Sequence, residues 1–208
     1  YFDTLINSFK VSITATVLSI AIGTPLAYLF TIFKIKGKGV LNILIVVASM
    51  SAPFIGAYSW ILLLGRSGVI TTFFKNLGIA IPDIYGFGGI VLVMTLQLFP
   101  LVFLYAKGAL KNIDNSLIEA AENLGCSGIA CFFKVVVPLI MPTLLAAALL
   151  VFMRSFADFG TPMLIGEGYR TFPVVLYTEF INEVGGSDGF AAAIAVIAID
   201  ITTLVFLV

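Results

Sequence analysis

EAAENLGCSGIACFFKVVVPLIMP, residues 119–142, sets two carboxylates, a lysine and two glycines between apolar blocks. How this polar interruption folds determines how the rest of the chain is arranged. Just upstream, Leu110, Ile113, Leu117, Ala121 and Leu124 follow spacings of three and four, the pattern of an amphipathic helix with one apolar stripe. Ser116, followed three residues later by Glu119, fits a capping box with Ser116 as N-cap and Glu119 at N3. Gly125 and Gly128 permit a turn, and Pro138, which the first turn of a helix tolerates, is expected to open the next apolar segment. The expectation over 110–134 is therefore a helix–turn–helix at a membrane face, offering its stripe and carboxylates to something beyond the membrane.

The membrane enters through composition. Of 208 residues, 61% are hydrophobic and 11% charged, where soluble domains carry roughly 25% charged residues; mean hydropathy is +1.15. Uncharged runs of about 20 residues match a hydrocarbon core roughly 30 Å thick, and only helices or closed barrels satisfy their backbone there. The sequence thus predicts an all-α, polytopic transmembrane helical bundle, with spans at 11–33, 40–64, 88–106, 135–156 and 190–208. Lys34, Lys36, Lys38, Lys107, Lys111 and Lys134 fall on one side of these spans, and Asp158, Glu167, Glu179, Glu183 and Asp188 on the other. By the positive-inside rule the 34–39 loop and the 110–134 segment are cytoplasmic.

Several function classes find no support. The 11 basic and 11 acidic residues balance, so nothing points to nucleic acid. Histidine is absent, and Cys126 and Cys131 lie about 140° apart on a helix, so neither a metal site, a cofactor nor a disulfide is expected. The Gly37-Lys38 pair is followed by Gly39 and makes no phosphate-binding loop, and no nucleophile–base pair with histidine exists, so the chain reads as a pathway rather than an enzyme.

Within the spans, Ala15, Ser19, Gly23 and Ala27 form a small-residue stripe that lets another helix approach. Pro25, Pro53, Pro100 and Pro142 each interrupt the backbone hydrogen bonding of a span. Arg154 and Asp158, four apart, suit either an ion pair on one helical face or a gate or outer-face contact. Asp200, alone in the last apolar run, suits either a translocation cavity or a hydrogen bond between helices.

Glu119-Ala120-Ala121, three residues, Gly125, nine residues, then Val135-Val136-Val137-Pro138 resembles the EAA loop of binding-protein-dependent ABC transporter permeases, pattern EAA-x3-G-x9-I-x-L-P, with valines in place of isoleucine and leucine. NSFKVSITATVLSIAIGTPLAYLF (7–30) is similar to the opening core span of these permeases. The resemblance implies a single MetI-like (type I) permease domain over 1–208, of about five spans, in the bacterial cytoplasmic membrane. It also implies a coupling helix in 110–134 that docks on a cytoplasmic ABC ATPase dimer. Ala120 and Ala121 would then make close contact, Glu119 an ionic contact beside its capping role, and Gly125 a hinge beside its role as a helix end, with Pro138 closing the motif. The remaining implied partners are an extracytoplasmic substrate-binding protein and a second permease half, separate or fused. Tyr1 in place of Met and an apolar run reaching Val208 fit a segment of a longer protein. FADFGTPMLIGEGYRTFPVVLYTEF (156–180) resembles ferric iron permeases, and less closely those for aminoethylphosphonate, polyamines and thiamine. The rival of another class is an ion-coupled secondary transporter, for which Asp200 is the one intramembrane candidate.

Overall fold

The computed structural model describes residues 2–32, 37–50, 53–78, 83–126 and 128–181, with 189, 196, 199–200 and 203 beyond. In chain order the helices are α1 (Phe2–Ile32), α2 (Lys38–Ser49), α3 (Pro53–Leu64), α4 (Val69–Asn76), α5 (Phe87–Lys111), α6 (Asn115–Asn123), α7 (Gly128–Cys131), a π turn (Phe132–Val136), α8 (Val137–Phe156), α9 (Gly160–Ile165) and α10 (Phe172–Ile181). Four stretches are long and apolar enough to cross a membrane: Phe2–Ile32, Phe54–Asn76, Phe87–Lys111 and Phe132–Phe156. At a rise of about 1.5 Å per residue, the three continuous ones exceed a hydrocarbon core of about 30 Å, whereas Phe54–Asn76 is divided by a turn at 65–68. The expected last span, 190–208, lies almost wholly outside the described residues.

The second span departs from expectation. Instead of one helix over 40–64, α2 stops at Ser49 and α3 begins at Pro53. Pro53 does not kink a helix interior but opens one, where its missing N–H is not needed. Part of the expected 65–87 loop is also helical, since Gly65 and Gly68 turn the chain into α4.

The residues fall into two compact units. The unit of 16–50 and 96–151 has its core where Ala27 and Phe30 of α1 meet Val102, Phe103, Ala106 and Leu110 of α5 and Phe132, Val136, Ile140 and Leu144 of the π turn and α8. Phe30 and Phe103 meet edge to face at 5.2 Å, and Tyr28 tilts against Phe132 at 4.5 Å; such pairs add about 0.5–1.5 kcal/mol beyond burial. The stripe of small residues is buried throughout. At Gly23 a Cβ would lie 2.9 Å from Val102 Cβ and 3.0 Å from the Phe99 carbonyl, so α1 and α5 meet here through backbone. Close approach of this kind supplies the dispersion contacts that replace the hydrophobic effect in lipid.

The unit of 1–15, 51–95 and 152–208 is held by aromatic and polar contacts. Phe9 packs on Phe152 and Phe156, and Phe156 stacks on Phe172. The buried Ser8 hydroxyl accepts the Phe172 N–H at 2.7 Å, so the start of α10 finds a partner for one of its free donors. Ser155 donates to the Met94 sulfur at 3.1 Å.

Candidate functional site

α5 ends at Lys111, and Asn112 and Ile113 fold back their N–H groups onto Ala109 and Leu110. Asp114 then starts α6: its carboxylate accepts the Ser116 N–H at 3.0 Å and its carbonyl the Leu117 N–H at 3.1 Å. The N-cap is therefore Asp114, not Ser116, and Glu119 is displaced from the N3 position of a capping box. The Ser116 N–H holds the Asp114 carboxyl below its ordinary range, as expected for an anion at a helix N-terminus.

This break resets the helical register, so the stripe expected over 110–124 divides. Leu110 is buried, and Ile113 and Ile118 pack against the core, whereas Leu117 and Leu124 are exposed. On α6 one face, Ile118 with the half-buried Ala121, leans on the bundle. The other presents Leu117, Ala120 and Leu124 at spacings of three and four, flanked by Glu119 and Asn123, all exposed. Of the two alanines of the motif, Ala120 is therefore free for contact, and Ala121 is the one turned inward.

Gly125 terminates α6 with φ +84°. The Cys126 N–H reaches back to the Ala121 carbonyl at 3.0 Å and the Leu124 N–H to that of Ala120 at 3.1 Å. This six-to-one closure is a Schellman cap, which needs a left-handed residue at the glycine position. Cys126, half-buried, and Cys131, buried, are not disulfide-bonded.

Pro138 does not open the last helix of the motif. The helical backbone begins at Gly128, passes through the π turn and runs on to Phe156, with Pro138 as the second residue of α8 and exposed. The Val137 N–H bonds the Phe132 carbonyl, five residues back. A proline ring clashes with the carbonyl four residues before it and offers no N–H. The widened turn lies just ahead of Pro138, and the helix passes it without a break. Between the end of α5, α6 and α8 lies a groove of about 440 Å³ lined by Ile113, Asp114, Leu117, Leu139 and Thr143.

The second candidate pair is not formed. α8 ends at Phe156, so Asp158 has left the helix on which it would face Arg154. Its carboxylate instead accepts the Gly160 N–H at 2.9 Å and the Thr161 hydroxyl at 2.6 Å, starting α9. Arg154 is exposed in the last turn of α8, where a cation suits the helix dipole. Burial pushes the Asp158 carboxyl above its ordinary range despite these bonds. The fold thus favours its neutral form, and the stability it contributes is complete below the unfolded value and lost as pH rises through the folded one. Asp158→Asn keeps the accepting oxygen without the charge, so it should raise the melting temperature more at pH 7 than at pH 4. An equal change at both pH values would refute the assignment.

The arginine that does pair is Arg66, which bonds Glu167 at 2.8 Å and Asp83 at 3.4 Å and lies over the Tyr85 ring. With partners 17 and 101 residues away, this contact leaves no local signal in the sequence. Glu167 sits at φ +41°, so its ion pair helps to hold an otherwise disfavoured backbone. Asp200 is exposed, in a run mostly outside the described residues. Among the described residues no three metal-binding side chains come together.

Helical throughout its described elements, with four membrane-length helices and a short capped helix between two of them, the chain is a multi-pass membrane protein. The family described as "Binding-protein-dependent transport system inner membrane component" matches residues 5–208, and the chain belongs to it. It is 30% identical over 173 residues to a putative ferric transport system permease of Haemophilus influenzae, a match covering 82% of this chain and 27% of that one. It is also 30% identical over 207 residues to the molybdenum transport system permease of Escherichia coli, covering 97% and 88%. To the spermidine/putrescine permease of H. influenzae it is 29% identical, covering 93% and 69%. The chain spans about a quarter to a third of the length of the ferric relatives. Its fold matches a bacterial ABC transporter involved in import of the acidic polysaccharide alginate, with TM-score 0.72 over 97% of this chain and 76% of that one at 15% identity.

Proposed function

We propose that the chain forms the membrane pathway of an ATP-driven importer and that α6 with the Gly125 turn is its coupling element. The observation that carries this is α6 itself: a separately capped helix pinned to the bundle by one face, with Ala120, Glu119, Leu117 and Leu124 turned outward. Ala120 lets a partner backbone come close, and Glu119 gives the contact a charge. The partner is a cytoplasmic ABC ATPase dimer, with hydrolysis residing there. A push on the outer face of α6 reaches the bundle through Ile118 and Ala121, and through the cap into α7 and the helix that continues past the π turn. In thermodynamic terms the ATPase biases a bundle with two arrangements. An extracytoplasmic binding protein delivers the cargo, and a second permease half, fused or separate, completes the pathway. Arg154 and Asp158 are assigned to the outer face as a gate or binding-protein contact; Asp200 remains the intramembrane candidate.

Glu119→Gln removes the charge from an exposed site that no longer needs it for capping. A charge-assisted contact is worth about 1.5–3 kcal/mol, so ATPase binding to membranes carrying this variant should weaken ten-fold or more while insertion is unchanged. Unaltered binding and unaltered ligand-stimulated hydrolysis would refute the coupling role.

For the cargo we propose ferric iron, supported by the resemblance of 156–180 and by the ferric relatives. A molybdenum oxyanion is the second candidate, because the molybdenum relative matches along 88% of its length at the same 30% identity. Uptake by proteoliposomes with the ATPase and binding protein should be ATP-dependent and selective for ferric iron over molybdate and spermidine. Selectivity for either of the others would reassign the cargo, and uptake driven by an ion gradient alone would overturn the importer.

A further inference from the structure

Three lysines meet where α2 begins and α5 ends. Lys107 of α5 donates to the Asn42 side chain of α2 and lies 5.4 Å from the centre of the Phe103 ring. Lys111 lies one turn on from Lys107 in α5, and Lys38 one turn before Asn42 in α2, so each helix brings a second lysine toward this contact. The ion pairs formed among the described residues are those of Arg66, so no described carboxylate neutralises the three. Lys38 lies in the first turn of α2, where the helix dipole adds positive potential instead of offsetting it.

α2 itself has no fully buried residue. Lys38, Asn42, Ile45 and Ser49 are half-buried along one face, and Ile45 packs on the core. Leu41, Leu44 and Ala48 run beside that face at spacings of three and four, all exposed. At 12 residues the helix is about 18 Å long, comparable to one leaflet of a core about 30 Å thick and too short to cross. An apolar wall thus leads away from an unneutralised cationic cluster in a protein that lives in lipid.

We propose that this seam binds an anionic phospholipid, its headgroup phosphate held by Lys38, Lys107 and Lys111 and its acyl chains laid along Leu41, Leu44 and Ala48. The lysines answer the charge and the wall answers the chains, a combination that neither a free anion nor a zwitterionic lipid matches. Asn42 orients Lys107 toward the headgroup, and the Phe103 ring covers the ammonium from within.

The test uses the intact permease, equilibrated in mixed micelles with equal amounts of phosphatidylglycerol and phosphatidylcholine, with retained lipids counted by native mass spectrometry. Wild type should retain phosphatidylglycerol in preference, and Lys38→Gln, Lys107→Gln and Lys111→Gln should each lower that preference about five-fold. The amide introduced by Lys107→Gln can still donate to Asn42, and Lys107→Arg should keep the preference; if Lys107→Gln does not fold, the other two positions carry the test. Lys75→Gln, on α4, should have no effect. Equal retention of both lipids by wild type, or a loss with Lys75→Gln as large as with the cluster variants, overturns the proposal. Displacement of the lipid by excess inorganic phosphate would mark a free-anion site, and loss of a second copy together with the lipid preference would mark a protein interface; either also overturns it.

Discussion

Gly125→Val should uncouple the permease from its ATPase, whereas Gly125→Asn should leave most coupling in place. Nothing lies within 4 Å of a Cβ built at Gly125, so the substitution meets no steric neighbour. What it meets is its own backbone at φ +84°, which costs a side-chain-bearing residue roughly 1–2 kcal/mol and more when it is β-branched. Asparagine visits this conformation readily and is a recognised cap residue. Valine would escape by leaving the left-handed well, which breaks the bond from the Cys126 N–H to the Ala121 carbonyl and swings α7 away from α6. Because α6 remains anchored through Ile118 and the core, the bundle should still insert and fold. ATPase binding and ligand-stimulated hydrolysis, measured on membranes of both variants, check this. Equal behaviour of valine and asparagine would mean that the left-handed turn does not serve coupling.

The sequence exposed the parts of this site that depend on local pattern and hid those that depend on where helices end. The EAA spacing and Gly125 were legible because a cap glycine and a short helix leave fixed offsets. Three residues able to cap stand in tandem, Asp114, Asn115 and Ser116, and choosing among them requires knowing that α5 stops at Lys111. That choice then decides which of the apolar residues over 110–124 face the core. The pairing of Arg154 with Asp158 fails for the same reason, since a spacing of four brings side chains together only while the helix lasts. Asp158 followed by Gly160 and Thr161 carries its own signal, an acid with two backbone donors ahead of it. Pro138 misled because a π turn upstream, invisible in composition, carries the helix past it. The charge of the lysines at 38, 107 and 111 is legible in the sequence, but their approach at one seam needs α5 to run a full turn beyond the apolar stretch.

Gly23→Leu should prevent or severely weaken assembly of the unit that holds α6. The stripe of Ala15, Ser19, Gly23 and Ala27 predicts close approach, and at Gly23 Val102 Cβ and the Phe99 carbonyl would lie 2.9 and 3.0 Å from a new Cβ. Even Gly23→Ala must move α1 or α5 by a few tenths of an ångström, because one of the two neighbours is backbone and cannot rotate away. Overfilling a packed site costs about 1–3 kcal/mol, and leucine, with three carbons more than alanine, should exceed that range. The same displacement would open the contact of Ala27 and Phe30 with Phe103 and Ala106, so packing is lost along the whole seam in lipid, where dispersion contacts do most of the holding. Thermal unfolding in detergent should rank wild type, Gly23→Ala and Gly23→Leu in that order. Val102→Gly, which removes the Cβ itself, should recover part of the Gly23→Ala loss by clearing one of the two contacts, a coupling that a double-mutant cycle isolates. Additive effects of the two changes would place the helices farther apart than this seam requires.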